Sequence, residues 1–86
     1  MPEVSRFLGI VITMYIHDHG RPHFHARYAE HLAKYTIEDL QLIRGSLPKR
    51  IQALVLEWAF EHREELMANW NALQSDEPIS KIKGLD

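Results

Sequence analysis

With 86 residues, no cysteine and a formal net charge of −2, the chain excludes a multidomain protein, a disulfide-stapled scaffold and a thiolate metal site. Its hydrophobic fraction of 45% and charged fraction of 26% are ordinary for a globular protein, so residues 1–86 are predicted to form one folded domain. The absence of cysteine suits a reducing cytoplasm, which is the predicted localisation. The acidic balance disfavours a protein that coats nucleic acid, although a basic spot at Arg21, Arg27 and Lys34 keeps nucleic acid open as a partner.

Neither a secretory nor a membrane-spanning segment is predicted. The N-terminal Met-Pro-Glu lacks the basic start of a signal peptide. The apolar run from Phe7 to Ile16 is about half the length that a membrane helix needs. We therefore expect no membrane association.

The first predicted strand covers about residues 6–16. It is rich in β-branched and aromatic residues, which favour strands. Apolar side chains fall on both faces of this segment, which is typical of a long, buried central strand. Gly20 and Pro22 then predict a loop.

Three further strands are predicted after this loop. Residues 23–28 alternate, which places Phe24, Ala26 and Tyr28 inward and His23, His25 and Arg27 on the opposite face. A third strand at about residues 32–37 is predicted to pair with a fourth at about 40–44 through a turn at Glu38-Asp39.

A long helix over about residues 48–73 follows the strands, with Ser46 as its predicted N-cap. The tail, residues 74–86, is expected to be an extended wrap or a partly disordered end. The predicted fold is therefore α+β, a small antiparallel sheet of about four strands with one long C-terminal helix packed on one face. The helix turns a broad apolar stripe towards the sheet, made of Ile51, Leu54, Val55, Trp58, Ala59, Leu66 and Leu73.

A second apolar row of the helix, Leu56, Phe60 and Met67, lies on a face that the sheet cannot also cover. Either the tail, through Ile79 and Ile82, or a second chain is expected to cover it. Because a symmetric pair is the commonest way to bury a repeated surface, the row predicts a homodimer or a complex with a small companion protein.

The segment from His17 to His25 concentrates the chain's candidate chemistry. It packs four of the six histidines, together with Asp18 and Arg21, into nine residues. Imidazole titrates near neutrality and is the commonest metal ligand. The segment can therefore bind a metal, transfer protons or hold a phosphate.

Metal binding is one interpretation of this segment. In a strand, His23 and His25 project from the same face, and His19 or Asp18 from the loop could supply a third ligand. Three protein ligands plus water form the pattern of a catalytic zinc site, so a divalent metal such as zinc is the candidate cofactor. His62, in the apolar stripe of the helix, is a further ligand if its ring approaches the loop and a core residue otherwise.

Acid–base catalysis on RNA or another phosphate ester is the second interpretation. Such an enzyme needs a base, an acid and a cation that holds the phosphate, and it needs no metal. His19, His23 or His25 with Arg21 could supply all three, and Asp18 could orient an imidazole.

A non-enzymatic role is the third interpretation, so whether the protein is an enzyme stays open. The loop would then be a rigid turn whose His and Asp side chains cap backbone groups. The protein would be an interaction module that binds a partner through Leu56, Phe60 and Met67.

Several motifs along the chain resemble one family. They are Gly9-Ile10-Val11-Ile12, Asp18-His19, Pro22-His23-Phe24-His25, Leu47-Pro48, Trp58, His62, Glu65-Leu66 and Asn69-Trp70. Together they closely resemble the bacterial domain of unknown function 4160, which usually has a second proline where this chain has Arg21. The resemblance implies a small stand-alone protein, often encoded beside another small protein as in toxin–antitoxin operons. We therefore expect a toxin–antitoxin-like component whose His/Asp/Arg site acts on RNA or another phosphate ester, or binds a metal.

Overall fold

A computed structural model describes residues 2–85 and contains a five-stranded antiparallel sheet followed by two helices. Each strand pairs with the next one along the chain, so the order of strands in the sheet is their order in the sequence. The α+β prediction is confirmed, with one strand and one helix more than expected. The elements are β1 (Glu3–Phe7), β2 (Ile10–Thr13), β3 (His23–Tyr28), β4 (His31–Thr36), β5 (Leu42–Gly45), α1 (Lys49–Glu61) and α2 (Arg63–Gln74).

The single strand predicted over residues 6–16 is instead the hairpin of β1 and β2, joined by Leu8 and Gly9. Both turn residues have positive φ angles, 51° and 79°, as two-residue hairpin turns require. The prediction was wrong because apolar residues continue through the turn and hide it. Leu8 is 57% exposed at the tip, and Ile16, beyond the end of β2, is 55% exposed.

The strand β3 lies in the middle of the sheet and has the predicted bounds, residues 23–28. Phe24 and Ala26 are fully buried, as the alternation predicted. The strands expected at about 32–37 and 40–44 are β4 and β5, each displaced by one or two residues. The turn between them contains Asp39, whose carboxylate accepts a hydrogen bond from the Thr36 hydroxyl.

The single helix predicted over residues 48–73 is divided at His62 into α1 and α2. The backbone of His62 has φ −117° and ψ 23°, and its N–H donates to the carbonyls of Trp58 and Ala59. The apolar stripe continues across this break, so periodicity alone did not reveal it. Pro48 stands at the N-cap in place of the predicted Ser46, and no side chain caps the helix. No helix described for residues 2–85 is long and apolar enough to cross a membrane.

The core lies between the helices and one face of the sheet. The ring of Phe24 stacks on Tyr35 at 5.7 Å and meets Trp58 edge-on at 6.2 Å, and Trp58 also contacts Phe7 at 5.2 Å. Trp58, Tyr35 and Phe24 are almost completely buried. These contacts hold β3, the strand that carries His23 and His25, firmly against the helices.

The C-terminal tail is an extended wrap as far as residue 85, which agrees with the first of the two expectations for it. The N–H of Ile82 donates to the Val4 carbonyl at 2.8 Å, so the tail covers the edge of the sheet at β1. The side-chain amide of Asn69 exchanges two hydrogen bonds with the backbone of Ser80, at 2.8 and 2.9 Å. The opposite edge, β5, is exposed along its length.

The second apolar row of the helices is only partly exposed. Leu56 and Met67 are half-buried and pack against the core. Phe60 is 64% exposed, with the Arg63 guanidinium 5.0 Å from the centre of its ring. The row is therefore less exposed than its sequence predicted, and the homodimer or companion protein stays a prediction.

Candidate metal centre

The loop between β2 and β3, residues 14–22, brings the candidate site to the start of β3. It turns at Gly20, whose φ of 87° favours glycine. The Pro22 carbonyl accepts a hydrogen bond from the N–H of Ile37 at 3.0 Å, which ties the end of the loop to the chain after β4. The Gln74 amide donates to the Asp18 carbonyl at 3.1 Å, which ties its middle to α2.

Asp18, His23 and His25 form a compact group of potential metal ligands. One ligand atom from each residue lies within 4.8 Å of those from the other two. Asp18 Oδ2 lies 2.9 Å from His23 Nε2. The ring centres of His23 and His25 are 5.3 Å apart. Within residues 2–85, this is the only group of three or more such residues at that spacing.

His23 has both ring nitrogens engaged. Its Nδ1 lies 2.7 Å from the Arg21 carbonyl, which can only accept, so Nδ1 carries a proton and donates. Its Nε2 faces the Asp18 carboxylate and either carries a second proton or offers a lone pair to a cation between the two residues. The side chain is only 4% exposed and packs against the Trp70 ring at 5.1 Å. A backbone carbonyl that holds Nδ1–H in this way is the usual support of an imidazole that binds a metal through Nε2.

His25 contributes a neutral imidazole with an unsatisfied nitrogen. Burial lowers the pKa of His25, the nearby His23 and Lys34 lower it further, and Asp18 acts in the opposite direction. The neutral ring is the form that binds metals. Its Nδ1 is buried and has no hydrogen-bond partner in the part of the chain that the structure describes. Such a nitrogen destabilises the fold unless a ligand occupies it.

Asp18 supplies the negative charge of the cluster. Partial burial would raise the pKa of Asp18, but the backbone N–H of His19 and the imidazoles of His23 and His25 outweigh it, so this pKa lies below its ordinary value. The His19 N–H donates to Oδ1 at 2.9 Å and leaves Oδ2 directed at His23. The carboxylate is therefore ionised at neutral pH and oriented towards the imidazoles.

A cleft of about 500 Å³ opens beside the cluster. Lys34 lies directly opposite His25 in the pairing of β3 with β4, so its ammonium group makes the cleft suitable for an anion. The cleft is lined by His19, Gly20, Arg21, His23, Lys34, Thr36, Gln41, Leu42 and Ile43.

The sequence predicts Lys34 as part of a basic spot with Arg21 and Arg27, and not as a candidate site residue. The signal that could have placed it in the site is the hairpin register. Ala29 and Glu30 form a two-residue turn between β3 and β4, and such a turn brings residue 34 opposite residue 25.

Two other predicted site residues, His19 and Arg21, line the cleft without joining the cluster. Both are exposed. The Arg21 guanidinium lies 3.5 Å from the Glu38 carboxylate and 3.4 Å from that of Asp39. Arg21 is therefore partly neutralised, and Lys34 is the stronger candidate to attract an anion.

His62 lies outside the group formed by Asp18, His23 and His25. Its Nδ1 is 2.5 Å from the Glu65 carboxylate, one turn along the chain. Its ring packs on Trp58 at 5.5 Å, at the junction of the two helices. The structure thus gives His62 a local carboxylate partner and a packing role.

Comparison with known proteins gives a match to a protein family. The sequence matches the domain of unknown function DUF4160 over residues 9–71, a stretch that contains the whole cluster. No curated protein and no solved structure matches the chain. The match confirms the family resemblance and assigns no chemistry to the site.

Proposed function

The chain belongs to the DUF4160 family, and from its site we propose that it binds a divalent transition metal such as zinc and hydrolyses a phosphate ester. The main support for this proposal is that one ligand atom from each of Asp18, His23 and His25 lies within 4.8 Å of the other two. Two imidazoles and a carboxylate suit zinc, and three protein ligands leave a fourth position for water. Because no thiolate is available, the donor set resembles that of catalytic zinc sites more than structural ones.

The bonds around the cluster support this assignment. The Arg21 carbonyl and the His19 N–H orient His23 and Asp18 from outside the cluster. A tetrahedral zinc ion separates its ligand atoms by about 3.3 Å. Binding would therefore widen the 2.9 Å contact between Asp18 and His23 slightly. Asp18 lies in a loop and is partly exposed, so its side chain can make that adjustment.

The cleft supports a phosphate ester as the substrate. A metal held by Asp18, His23 and His25 would lower the pKa of its bound water to about 7 and would polarise a phosphoryl oxygen. The Lys34 ammonium, across the strand pair from His25, attracts the phosphate. Hydrolysis of RNA by this site would suit the cytoplasmic toxin–antitoxin-like role that the family resemblance implies.

Metal-free acid–base catalysis by the same residues has weaker support. His23 is buried and both of its nitrogens are engaged, so it cannot readily exchange a proton with a substrate. His19, exposed at the cleft, is the imidazole that remains for proton transfer.

Metal analysis of untagged protein tests the proposed centre. We expect about one equivalent of bound metal, retained in His62→Ala and lost in Asp18→Ala and in His25→Ala. His62→Ala is the matched control because it also removes an imidazole beside a carboxylate. Circular dichroism establishes that each variant is folded. Equal metal content in all four proteins, or none in any of them, would contradict the proposal.

The hydrolytic half of the proposal has its own assay. Cleavage of a simple phosphodiester and of RNA by the metal-loaded protein is expected to fall at least tenfold in Lys34→Gln with its metal content unchanged. A metal-loaded protein that cleaves neither substrate would leave the non-enzymatic interaction module as the better description.

A further inference from the structure

The face of the sheet that points away from the helices is open and positively charged. The five strands contain four arginine or lysine residues and one glutamate, whereas the two helices contain three and four. Across the sheet, Arg6 pairs with Val11, Val11 with Arg27, and Arg27 with Leu32. The net charge of −2 therefore conceals a basic sheet beside helices that are nearly neutral.

Three cations of this surface have no carboxylate partner within residues 2–85. Arg27, Lys34 and Arg44 form no ion pair with any residue described between positions 2 and 85. Arg6, by contrast, is neutralised by Glu3 at 2.8 Å. Unpaired cations on neighbouring strands create a potential that an anionic ligand relieves.

The cations form a row that begins at the candidate metal centre. The strand register places His25 opposite Lys34, and Lys34 opposite Arg44. Neighbouring strands lie about 4.8 Å apart, so the row crosses β3, β4 and β5 in steps of about that length. Arg27 lies two residues along β3 from His25 and therefore on the same face.

Apolar and aromatic side chains lie between the cations. Leu32 is exposed on this face, and the Tyr15 ring contacts His25 at 4.7 Å. Two hollows of about 210 and 190 Å³ flank Leu32, the first bounded by Lys34 and Arg44 and the second by Tyr15 and Arg27. A basic surface with interleaved apolar and aromatic groups binds single strands through their phosphates and their unstacked bases.

We infer that this open face, defined by Arg27, Leu32, Lys34 and Arg44, binds a single-stranded polynucleotide and leads one of its phosphodiesters to the cluster at His25. An acidic protein is less well matched, because the apolar and aromatic groups between the cations suit unstacked bases. The inference rests on the proposed function only for what happens to the bound strand. Binding itself needs neither metal nor hydrolysis.

Fluorescence polarisation of labelled 12-residue oligo-U and oligo-dT tests the surface in EDTA. The double variant Arg27→Gln/Arg44→Gln is compared with Lys49→Gln/Arg50→Gln, which removes the same charge from exposed positions at the start of α1. We expect roughly tenfold weaker binding for the first and less than a twofold change for the second. The slope of log affinity against log salt should fall by about 0.7 for each lost phosphate contact. Arg27→Lys/Arg44→Lys should restore most of the affinity.

Several results would overturn the inference. They are equal weakening in both glutamine doubles, no oligonucleotide binding by the wild-type chain at low salt, and equally effective competition by polyglutamate. Tighter binding of oligo-U or of oligo-dT identifies the strand as RNA or DNA, and either supports the inference.

The two proposals can fail separately. If Asp18→Ala loses its metal and still binds the oligonucleotide, the surface is supported independently of the metal centre. If Arg27→Gln/Arg44→Gln binds as the wild type does while metal binding is intact, the surface fails and the metal centre stands.

Discussion

Two histidine–carboxylate pairs of this protein share the same chemistry in different surroundings. Asp18 and His23 are 2.9 Å apart, beside the third potential ligand His25, and the His23 ring is almost completely buried. His62 and Glu65 are 2.5 Å apart, and the Glu65 side chain is 53% exposed. The pair with the shorter contact, His62 and Glu65, is therefore the one without a third potential ligand among the described residues. Contact distance alone does not single out the candidate metal centre, whereas burial and a converging third group do.

The two pairs differ in how completely folding removes each of them from water. His62 forms its contact within one turn of chain, where water competes for both groups and the pair contributes little. His23 is removed from water, so each of its nitrogens needs a partner. The Arg21 carbonyl and Asp18 provide these partners. A neutral His25 beside this arrangement leaves a position that a cation can occupy.

The largest expected difference between the two pairs is stabilisation by metal. Zinc at 100 times its dissociation constant should raise the free energy of unfolding by about 2.7 kcal/mol in the wild type. His62→Ala should keep this increment, and His25→Ala should lose it. Urea denaturation with and without zinc measures the effect. A gain in His25→Ala equal to that of the wild type would mean that zinc binds elsewhere.

A smaller difference is expected without metal. Asp18→Ala leaves the buried Nε2 of His23 and the N–H of His19 without their acceptor, which should lower the free energy of unfolding by about 1–3 kcal/mol. Glu65→Ala removes an exposed carboxylate from the same kind of pair and should change it by less than about 0.5 kcal/mol. Urea denaturation in EDTA compares the two variants. If they lose similar amounts, burial does not distinguish the pairs.

Much of the fold was predictable because local patterns set it. The alternation in residues 23–28 predicted β3 correctly, and the helical apolar stripe predicted most of the residues that α1 and α2 bury. The turn at Leu8 and Gly9 was missed because an apolar residue precedes its glycine, where a polar residue usually marks a hairpin turn. The break at His62 was missed because one non-helical residue does not interrupt an apolar period.

The candidate site was predictable as a set of residues and not as an arrangement. Histidine density pointed to the segment that holds the cluster, and strand alternation placed His23 and His25 on one face. The choice of Asp18 over His19 depends on the loop, which contacts distant in sequence hold in place, such as that from Gln74. A single sequence carries no direct signal for such contacts.

The smallest expected difference is the pH dependence of stability without metal. Burial, His23 and Lys34 lower the pKa of His25 below its ordinary value of 6.5, so the unfolded chain takes up this proton first as the pH falls. The stability that the neutral ring contributes is therefore complete above about pH 6.5 and is lost below it, by less than about 1 kcal/mol because the ring is partly exposed. Asp18, whose pKa is also lowered, contributes stability that is complete above its ordinary pKa of 3.8 and is lost as the pH falls below that value.

Replacing single histidines isolates this effect. Urea denaturation at pH 7.5 and 5.5 in EDTA should show that His25→Gln loses less stability on acidification than the wild type does. His62→Gln is the control, because it also replaces an imidazole and leaves the cluster intact. If His25→Gln loses as much stability on acidification as the wild type, His25 is not held neutral by its surroundings. Electrostatics would then no longer favour metal binding at His25.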